Sequence, residues 1–323
     1  MRAVVMREFG PPRVLQLAET AEAHPGPGQV VVDVEIVSVT FVETQVRAGR
    51  PPNPAMLPAL PAILGNGVGG TVAEVGAGVD RALTGRRVVT SLSGTGGYAE
   101  RAVAAAGQLV EVPHGLALRH AVALLADGRT ALALAGRARL GKGDTVLVEA
   151  AAGGVGTLLV QLARNAGARV VALASEDRKL QLARDLGADI AISYCDHDWP
   201  RRVRGAVGGG VDVVFDGVGG DTARAAFGLL GPGGRFCAFG MASGSFAPVT
   251  PELAQQHQVS MVYGTGLGPE ELTALVRTAL AEAAAGRIRP VIGQELTLAR
   301  AADAHAAIEA RATIGKTLLT VPR

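Results

Sequence analysis

The residues best suited to chemistry lie in one glycine-rich run, Ala150-Ala151-Ala152-Gly153-Gly154-Val155-Gly156. Residues without bulk let backbone N–H groups approach a phosphate closely, and a helix starting here would turn its positive dipole end toward it. The flanking sequence supplies that helix. Val146-Leu147-Val148 reads as a buried strand before the run, and Val155, Leu158, Leu159, Leu162 and Ala166 follow at the spacing of one helix face. A second apolar run, residues 169–173, completes a strand–turn–helix–strand unit. Ala151 replaces the first glycine of a GxGxxG pattern, so the run alone also suits a tight turn in another α/β protein; the strands around it favour a dinucleotide pyrophosphate.

The residue facing the adenine ribose in such a unit stands about 20 residues beyond the turn. A carboxylate there would hold the 2′-hydroxyl of NAD. Here it is Ser175, followed by Arg178 and Lys179. That leaves room and positive charge for the 2′-phosphate of NADPH, although a solvated basic helix start would look the same. Ligands of open α/β sheets bind at the carboxyl ends of the strands. Three further groups fall there: Tyr194, Gly217-Val218-Gly219-Gly220 and Phe239-Gly240-Met241. Tyr194 either borders the adenosine or packs on the surface, and the glycine clusters suit a passing nicotinamide half or simple turns.

Other chemistries find little support. The six histidines, at 24, 114, 120, 197, 257 and 305, show no HxxxH or HxH spacing. Cys195 and Cys237 form no CxxC pair and no disulfide framework. Gly240-Met241-Ala242-Ser243-Gly244 lacks the spacing of a nucleophile elbow. A net charge of +2 argues against nucleic acid or an anionic membrane as partner. No stretch approaches the 18 apolar residues of a membrane span, and MRAVVMREFG lacks a signal core, so a soluble cytoplasmic protein is expected.

Positioning these groups requires two kinds of domain. With 48% hydrophobic and 19% charged residues, the 323-residue chain can build a large core. Residues 1–112 read as short strands. Val30, Val32, Val34 and Ile36 alternate, segments follow at 71–75, 87–90, 98–103 and 109–112, and a proline-dense loop at 51–61 precludes regular structure. A small barrel is expected. Residues 116–139 suggest two helices broken near Asp127-Gly128. Strands at 145–149, 169–173, 190–193, 211–215, 235–239 and 259–263 then alternate with helices, the pattern of a Rossmann doubly wound six-stranded parallel sheet. After residue 269 come a helix to 285, a strand at 291–296, a helix at 300–310 and a last strand at 316–321, expected to return to the first domain.

The run Ala150–Gly156 with Gln161 and Leu186-Gly187-Ala188-Asp189 resembles the zinc-free quinone oxidoreductase (ζ-crystallin-like) branch of the medium-chain dehydrogenase/reductase superfamily. Leu60-Pro61-Ala62-Ile63-Leu64-Gly65, Gly96-Gly97-Tyr98-Ala99-Glu100 and Asp216-Gly217-Val218-Gly219 extend the resemblance over nearly the whole chain. It implies an α/β fold: a GroES-like β-barrel catalytic domain over 1–118, an inserted NADPH-binding domain over 119–264, and a return to the barrel over 265–323. It implies that Gly153, Gly154 and Val155 meet the pyrophosphate, that Ser175, Lys179 and Tyr194 surround the 2′-phosphate, and that Thr130, Gly217, Val218, Phe239, Gly240 and Met241 border the nicotinamide half. Zinc-dependent relatives place a cysteine and Gly-His-Glu at the metal; here the second position reads Gly65-Asn66-Gly67, so no metal is expected.

The substrate side departs from the family pattern. An asparagine, an aromatic, an aspartate and a tyrosine are usual there, whereas this chain has Thr40-Phe41-Val42-Glu43-Thr44-Gln45 with Arg47, and Arg50-Pro51 where a second tyrosine would stand. Thr40, Gln45 and Arg47 could hydrogen-bond a carbonyl oxygen or support the fold. The resemblance implies an NADPH-dependent reductase of a quinone or activated C=C. The alternatives are an enoyl or enone reductase of secondary metabolism and a non-catalytic NADPH-binding protein. It also implies a homodimer through the edge strand at 259–263.

Overall fold

A computed structural model describes residues 1–263 and 266–322 of the chain. The expected domain boundary at 264/265 therefore lies outside the described residues. Two compact units emerge: Met1–Ala126 with Pro269–Gly286 and Pro290–Arg323, and Asp127–Gly268 with Arg287–Arg289.

The first unit is organised around one long strand, Gln29–Val39, rich in β-branched valines. It pairs antiparallel with Gly67–Val75, Arg101–Ala105 and Lys316–Thr320, and Arg87–Ser91, Val110–Glu111 and Ile292–Thr297 extend the sheet. One strand reaching three partners, with register shifts between Val31/Val32 and Val34/Ile36, curls the sheet into the GroES-like barrel. The last strand does return here, Thr317 opposite Val39 and Thr320 opposite Ile36. A smaller sheet joins Arg2–Met6 to Leu15–Glu19 and Ala62–Ile63. The proline-dense loop is not wholly irregular: Asn53 accepts from the Ala55 N–H at 3.0 Å and caps a single 3₁₀ turn, Pro54–Met56.

The second unit is the doubly wound sheet. Its six strands are all parallel, in the spatial order Ile190–Ser193, Arg169–Ala174, Thr145–Val148, Val211–Asp216, Leu230–Ala238, Ser260–Tyr263. Chain order reverses between Thr145–Val148 and Val211–Asp216, which makes the carboxyl ends of those two strands the topological switch point. Val146, Leu147, Val148, Val213, Val214 and Phe215 are fully buried, as strands covered on both faces require.

The expected helix break near Asp127-Gly128 does not occur. Leu118–Ala138 is one continuous helix of 21 residues. An interior glycine disfavours helix by only about 1 kcal/mol, and Ala121, Val122, Leu124, Leu125, Ala131 and Leu134 bury enough surface around it to override that preference.

Candidate active site

The glycine run forms the expected turn. Gly153 is the N-cap of the helix Gly154–Asn165 and supplies no side-chain acceptor to compete for the first-turn N–H groups. The turn closes by a bond from Gly153 N–H to the Ala150 carbonyl at 2.8 Å, with Ala150 itself in the left-handed region at φ 45°. Gly156 has to be glycine for packing, since a Cβ would run into the Ala150 carbonyl and the Ala151 backbone. At Gly154 the obstruction is a side chain: a Cβ would strike the carboxylate of Asp127. Asp127 is nearly buried on the Leu118–Ala138 helix, and Thr130, three residues on, shares its face. The long helix thus brings Thr130 to the side of the glycine turn. Nothing in the sequence near 150 points to Asp127.

At the end of Arg169–Ala174, Ser175 and Lys179 meet. Lys179 Nζ lies 3.4 Å from the Ser175 hydroxyl, and its aliphatic stem is buried. Glu176, which spacing alone does not single out, accepts through its carboxylate from Lys179 Nζ at 2.9 Å and from Arg178 Nε at 2.7 Å. Bonds from these two cations lower the pKa of Glu176, which stays ionised and ties both to the strand end. Tyr194 is half-buried, its ring packed partly on the core that contains Trp199 and Val203. Beside it, the exposed Cys195 thiol approaches the Ser175 carbonyl at 3.7 Å.

The other two strand ends are joined through Asp216. Its carboxylate accepts from Val218 N–H at 2.9 Å and Gly219 N–H at 2.7 Å. Its carbonyl accepts from Phe239 N–H at 2.9 Å and Gly240 N–H at 3.2 Å. A Cβ on Gly217 would stand 2.8 Å from the Phe239 ring, and one on Gly240 would enter the Gly217 backbone. Glycine at both positions is what lets these strand ends close on each other. Phe239, Gly240 and Met241 are all half-buried.

In the first unit the three candidate substrate donors separate. Thr40 caps the helix Phe41–Arg47 in a reciprocal capping box: its hydroxyl accepts from Glu43 N–H at 3.4 Å while Glu43 accepts from Thr40 N–H at 2.7 Å. The Thr40 hydroxyl also bonds the Glu43 side chain, so it would exchange that carboxylate for a substrate oxygen. Gln45 is nearly buried and donates to the Thr44 hydroxyl at 3.0 Å. Arg47 is 1% exposed; it donates to the Gly10 carbonyl at 2.7 Å and pairs with Glu309. Its guanidinium ties the Phe41–Arg47 helix to the Ala301–Glu309 helix, which is a structural duty.

Glu43 is the residue that sequence spacing undervalued. Its Oε1 accepts from Asn66 N–H at 2.8 Å, and the Tyr98 hydroxyl donates to Oε2, the oxygen that also takes the Thr40 N–H, at 3.3 Å. Burial raises its pKa, opposed by the backbone bonds from Thr40 and Asn66 and by the charge of Lys316. Tyr98 in turn lies 2.8 Å from His305 Nε2, and burial pushes His305 down to about 3. Asn66, at the position of the zinc-binding pair, accepts from Leu92 N–H at 3.1 Å and Gly94 N–H at 2.7 Å. An amide oxygen engaged by two backbone donors does not fit a zinc ligand, and no group of three or more His, Cys, Asp or Glu among the described residues could hold a metal.

Comparison with known proteins bears on the family. The alcohol dehydrogenase GroES-like domain family matches residues 26–114, and the family described as zinc-binding dehydrogenase matches 154–281. A quinone oxidoreductase of Pseudomonas aeruginosa is 35% identical over 318 residues, spanning 96% of this chain and 97% of that protein. The chain belongs to the quinone oxidoreductase branch of the medium-chain dehydrogenase/reductase superfamily. A 2-haloacrylate reductase of a Burkholderia species is 38% identical over 253 residues, 77% of this chain and 75% of that protein. The Escherichia coli quinone oxidoreductase, solved in complex with NADPH, superposes with a TM-score of 0.91 at 29% identity, covering 99% of this chain and 100% of that one. This member of the branch is accordingly an oxidoreductase, built on the barrel and sheet that its sequence implies. No helix among its described residues is long and apolar enough to cross a membrane.

Proposed function

We propose that this chain is a zinc-independent reductase that uses NADPH to reduce a quinone or an activated C=C. The observation that carries the cofactor choice is the strand end at Ser175, where a hydroxyl and the Lys179 ammonium stand 3.4 Å apart in place of a ribose-binding carboxylate. The sheet edge fits the rest of the cofactor. Gly154 and Val155 offer backbone N–H groups to a pyrophosphate, Gly153, whose own N–H closes the turn on Ala150, leaves it room, Tyr194 borders the adenosine, and Gly217, Val218, Phe239, Gly240 and Met241 with Thr130 border the nicotinamide. When bound, the nicotinamide supplies a hydride from C4. The chain's own task is to favour the negative charge that then develops on the substrate oxygen, which preorganised donors do best. Thr40, its backbone fixed by Glu43 and its hydroxyl at the same carboxylate, is the donor we assign. Gln45 is a secondary one, and Arg47 is withdrawn from that role because its contacts lie with Gly10, Thr44 and Glu309.

The second reading narrows this to the C=C substrates alone, an enone, enoyl thioester or haloacrylate, with no turnover of quinones. The similarity to a 2-haloacrylate reductase favours it, and so does the departure from the family resemblance, which implies pocket tyrosines where this chain has Gln45 and Arg50-Pro51. NADPH oxidation measured against 1,4-benzoquinone, 9,10-phenanthrenequinone, a 2-alkenal, 2-chloroacrylate and an enoyl-CoA separates the readings. Turnover confined to the last three selects the second. Stoichiometric NADPH binding without turnover on any of them would make the chain a cofactor-binding protein and refute both.

A further inference from the structure

Glu149 and Asp216 end the two strands that flank the switch point. They are neighbours across the sheet: Glu149 N–H donates to the Phe215 carbonyl at 3.0 Å, one residue before Asp216. Both side chains are wholly buried. Asp216 Oδ1 is satisfied by the Val218 and Gly219 N–H groups, but three carboxyl oxygens, both of Glu149 and Oδ2 of Asp216, have no donor. Two carboxylates cannot satisfy each other. One proton between them can, because a protonated carboxyl is a donor and its partner an acceptor.

We propose that Glu149 is a positioning residue for the cofactor-binding edge: as a neutral acid it donates its O–H to the Asp216 carboxylate, and this shared proton joins the glycine turn to the Asp216–Gly219 turn. The inference rests on the NADPH reading above. Glu149 directly precedes Ala150, whose left-handed φ of 45° needs a fixed neighbour to hold it. Asp216 holds the next turn by its side chain and the Phe239–Gly240 segment by its carbonyl. Three loops therefore depend on the geometry at this one pair. Burial, then the Asp216 charge, push the Glu149 carboxyl well above the usual carboxylate range; the nearby Val218 N–H, itself bonded to Asp216 Oδ1, opposes this least. The elements around the pair add no countercharge. The turn from Ala150 to Gly153, the first helical turn Gly154–Thr157 and the strand end Ala172-Leu173-Ala174 carry no ionisable side chain. The Cys237 thiol on the next strand is pushed up to about 12 and stays neutral, and the next carboxylate, Asp127, lies beside Gly154.

The test uses the full-length protein with two variants. In Glu149→Gln the amide N–H replaces the acid as donor to Asp216; in Glu149→Met no donor remains. Infrared spectra of the wild type at neutral pH should show the carbonyl stretch of a buried protonated carboxylic acid, absent from Glu149→Gln. The wild-type Michaelis constant for NADPH should rise on the alkaline side as the second carboxylate forms. Glu149→Gln should lie within about twofold of wild type at neutral pH and lack that alkaline rise, whereas Glu149→Met should raise the constant by roughly 5- to 100-fold with saturated turnover little changed. An acid band that persists in Glu149→Gln, or an alkaline limb identical in that variant and the wild type, overturns the assignment. Should either variant fail to fold, the wild-type spectrum decides alone: no protonated-acid band at neutral pH refutes the shared proton. The spectrum needs no cofactor, so a wild type that shows the band but has no affinity for NADPH refutes the cofactor reading and not the pair.

Discussion

Replacing Lys179 by alanine is the sharpest perturbation of the proposed cofactor site. A charge-assisted hydrogen bond to the 2′-phosphate contributes roughly 1.5–3 kcal/mol, or about 10- to 150-fold in affinity. Lys179 Nζ is held 2.9 Å from Glu176 and must exchange that partner for the phosphate, which moves the expected loss toward the lower end of the range. The Michaelis constant for NADPH should rise by that factor and the constant for NADH should stay nearly unchanged. Glu176→Gln should act in the opposite direction by a small factor, since it releases Lys179 and Arg178 and removes a like charge facing the phosphate; exposed ion pairs are weak. Ser175→Asp should repel the phosphate and improve NADH. Cys195 gives an assay independent of turnover. Its exposed thiol lies 3.7 Å from the Ser175 carbonyl, whereas Cys237 is buried and unreactive. NADPH should therefore slow alkylation of Cys195, and Lys179→Ala should shift half-protection to higher NADPH by the same factor. Equal losses with both cofactors, or no loss with either, would refute the Lys179 assignment; a selective NADPH loss in Arg178→Ala alone would transfer the role to that residue.

Arg47→Ala should destabilise the fold by about 1–3 kcal/mol, the effect of leaving the Gly10 and Thr44 carbonyls without their donor while the partly exposed Glu309 is solvated, with turnover per folded molecule little changed; denaturant melts alongside active-site titration decide, and a stable variant lacking turnover would restore Arg47 to the substrate site. His305 is neutral in the folded state with its pKa pushed down to about 3 from 6.5, so its contribution is complete above about 6.5 and is lost as pH falls toward 3. The wild type should lose up to roughly 5 kcal/mol across that window, and His305→Gln should flatten the slope of melting temperature against pH; parallel slopes would contradict the buried neutral imidazole. Activity should survive EDTA and phenanthroline, since Asn66 occupies the metal position with its oxygen already engaged; zinc lost in step with activity would show a missed site. The edge strand Ser260–Tyr263 has Tyr263 48% exposed, and a bare edge of this kind invites pairing with its twofold copy. Light scattering at micromolar concentration should give a dimer, and a monomer ends that proposal.

The fold was readable because its signals are local. A buried parallel strand is a short apolar run, and each of the six expected runs overlaps an observed strand, from Thr145–Val148 to Ser260–Tyr263. The glycine turn is equally local, its requirement for small residues being set by atoms a few positions away. The helix Leu118–Ala138 was misread for the complementary reason. Gly128 is a genuine break signal within the window that sequence can weigh, and what overrides it is burial, which only the folded chain displays.

The site was legible only where its partners are sequence neighbours. Ser175 and Lys179 are one helical turn apart, so their meeting could be anticipated; Glu176 lies between them, and its carboxylate competes with the expected phosphate for Lys179. The structural partner of Arg47 was not legible because Glu309 comes from another helix 262 residues away. Glu43 looked like one side of a capping box, yet it also collects Asn66 and Tyr98 from distant loops. Glu149 and Asp216 are the extreme case. Separately, each is an acidic residue at the end of an apolar run, which usually signals a solvated strand terminus. They become a buried pair only because the strand order reverses between them, so that strands more than 60 residues apart in sequence lie side by side. Reading such a pair from sequence requires the topology first: align the carboxyl ends of strands one and four of the doubly wound sheet, then ask whether two acids face each other without a countercharge. In this chain they do, and a proton is the one partner small enough to satisfy both.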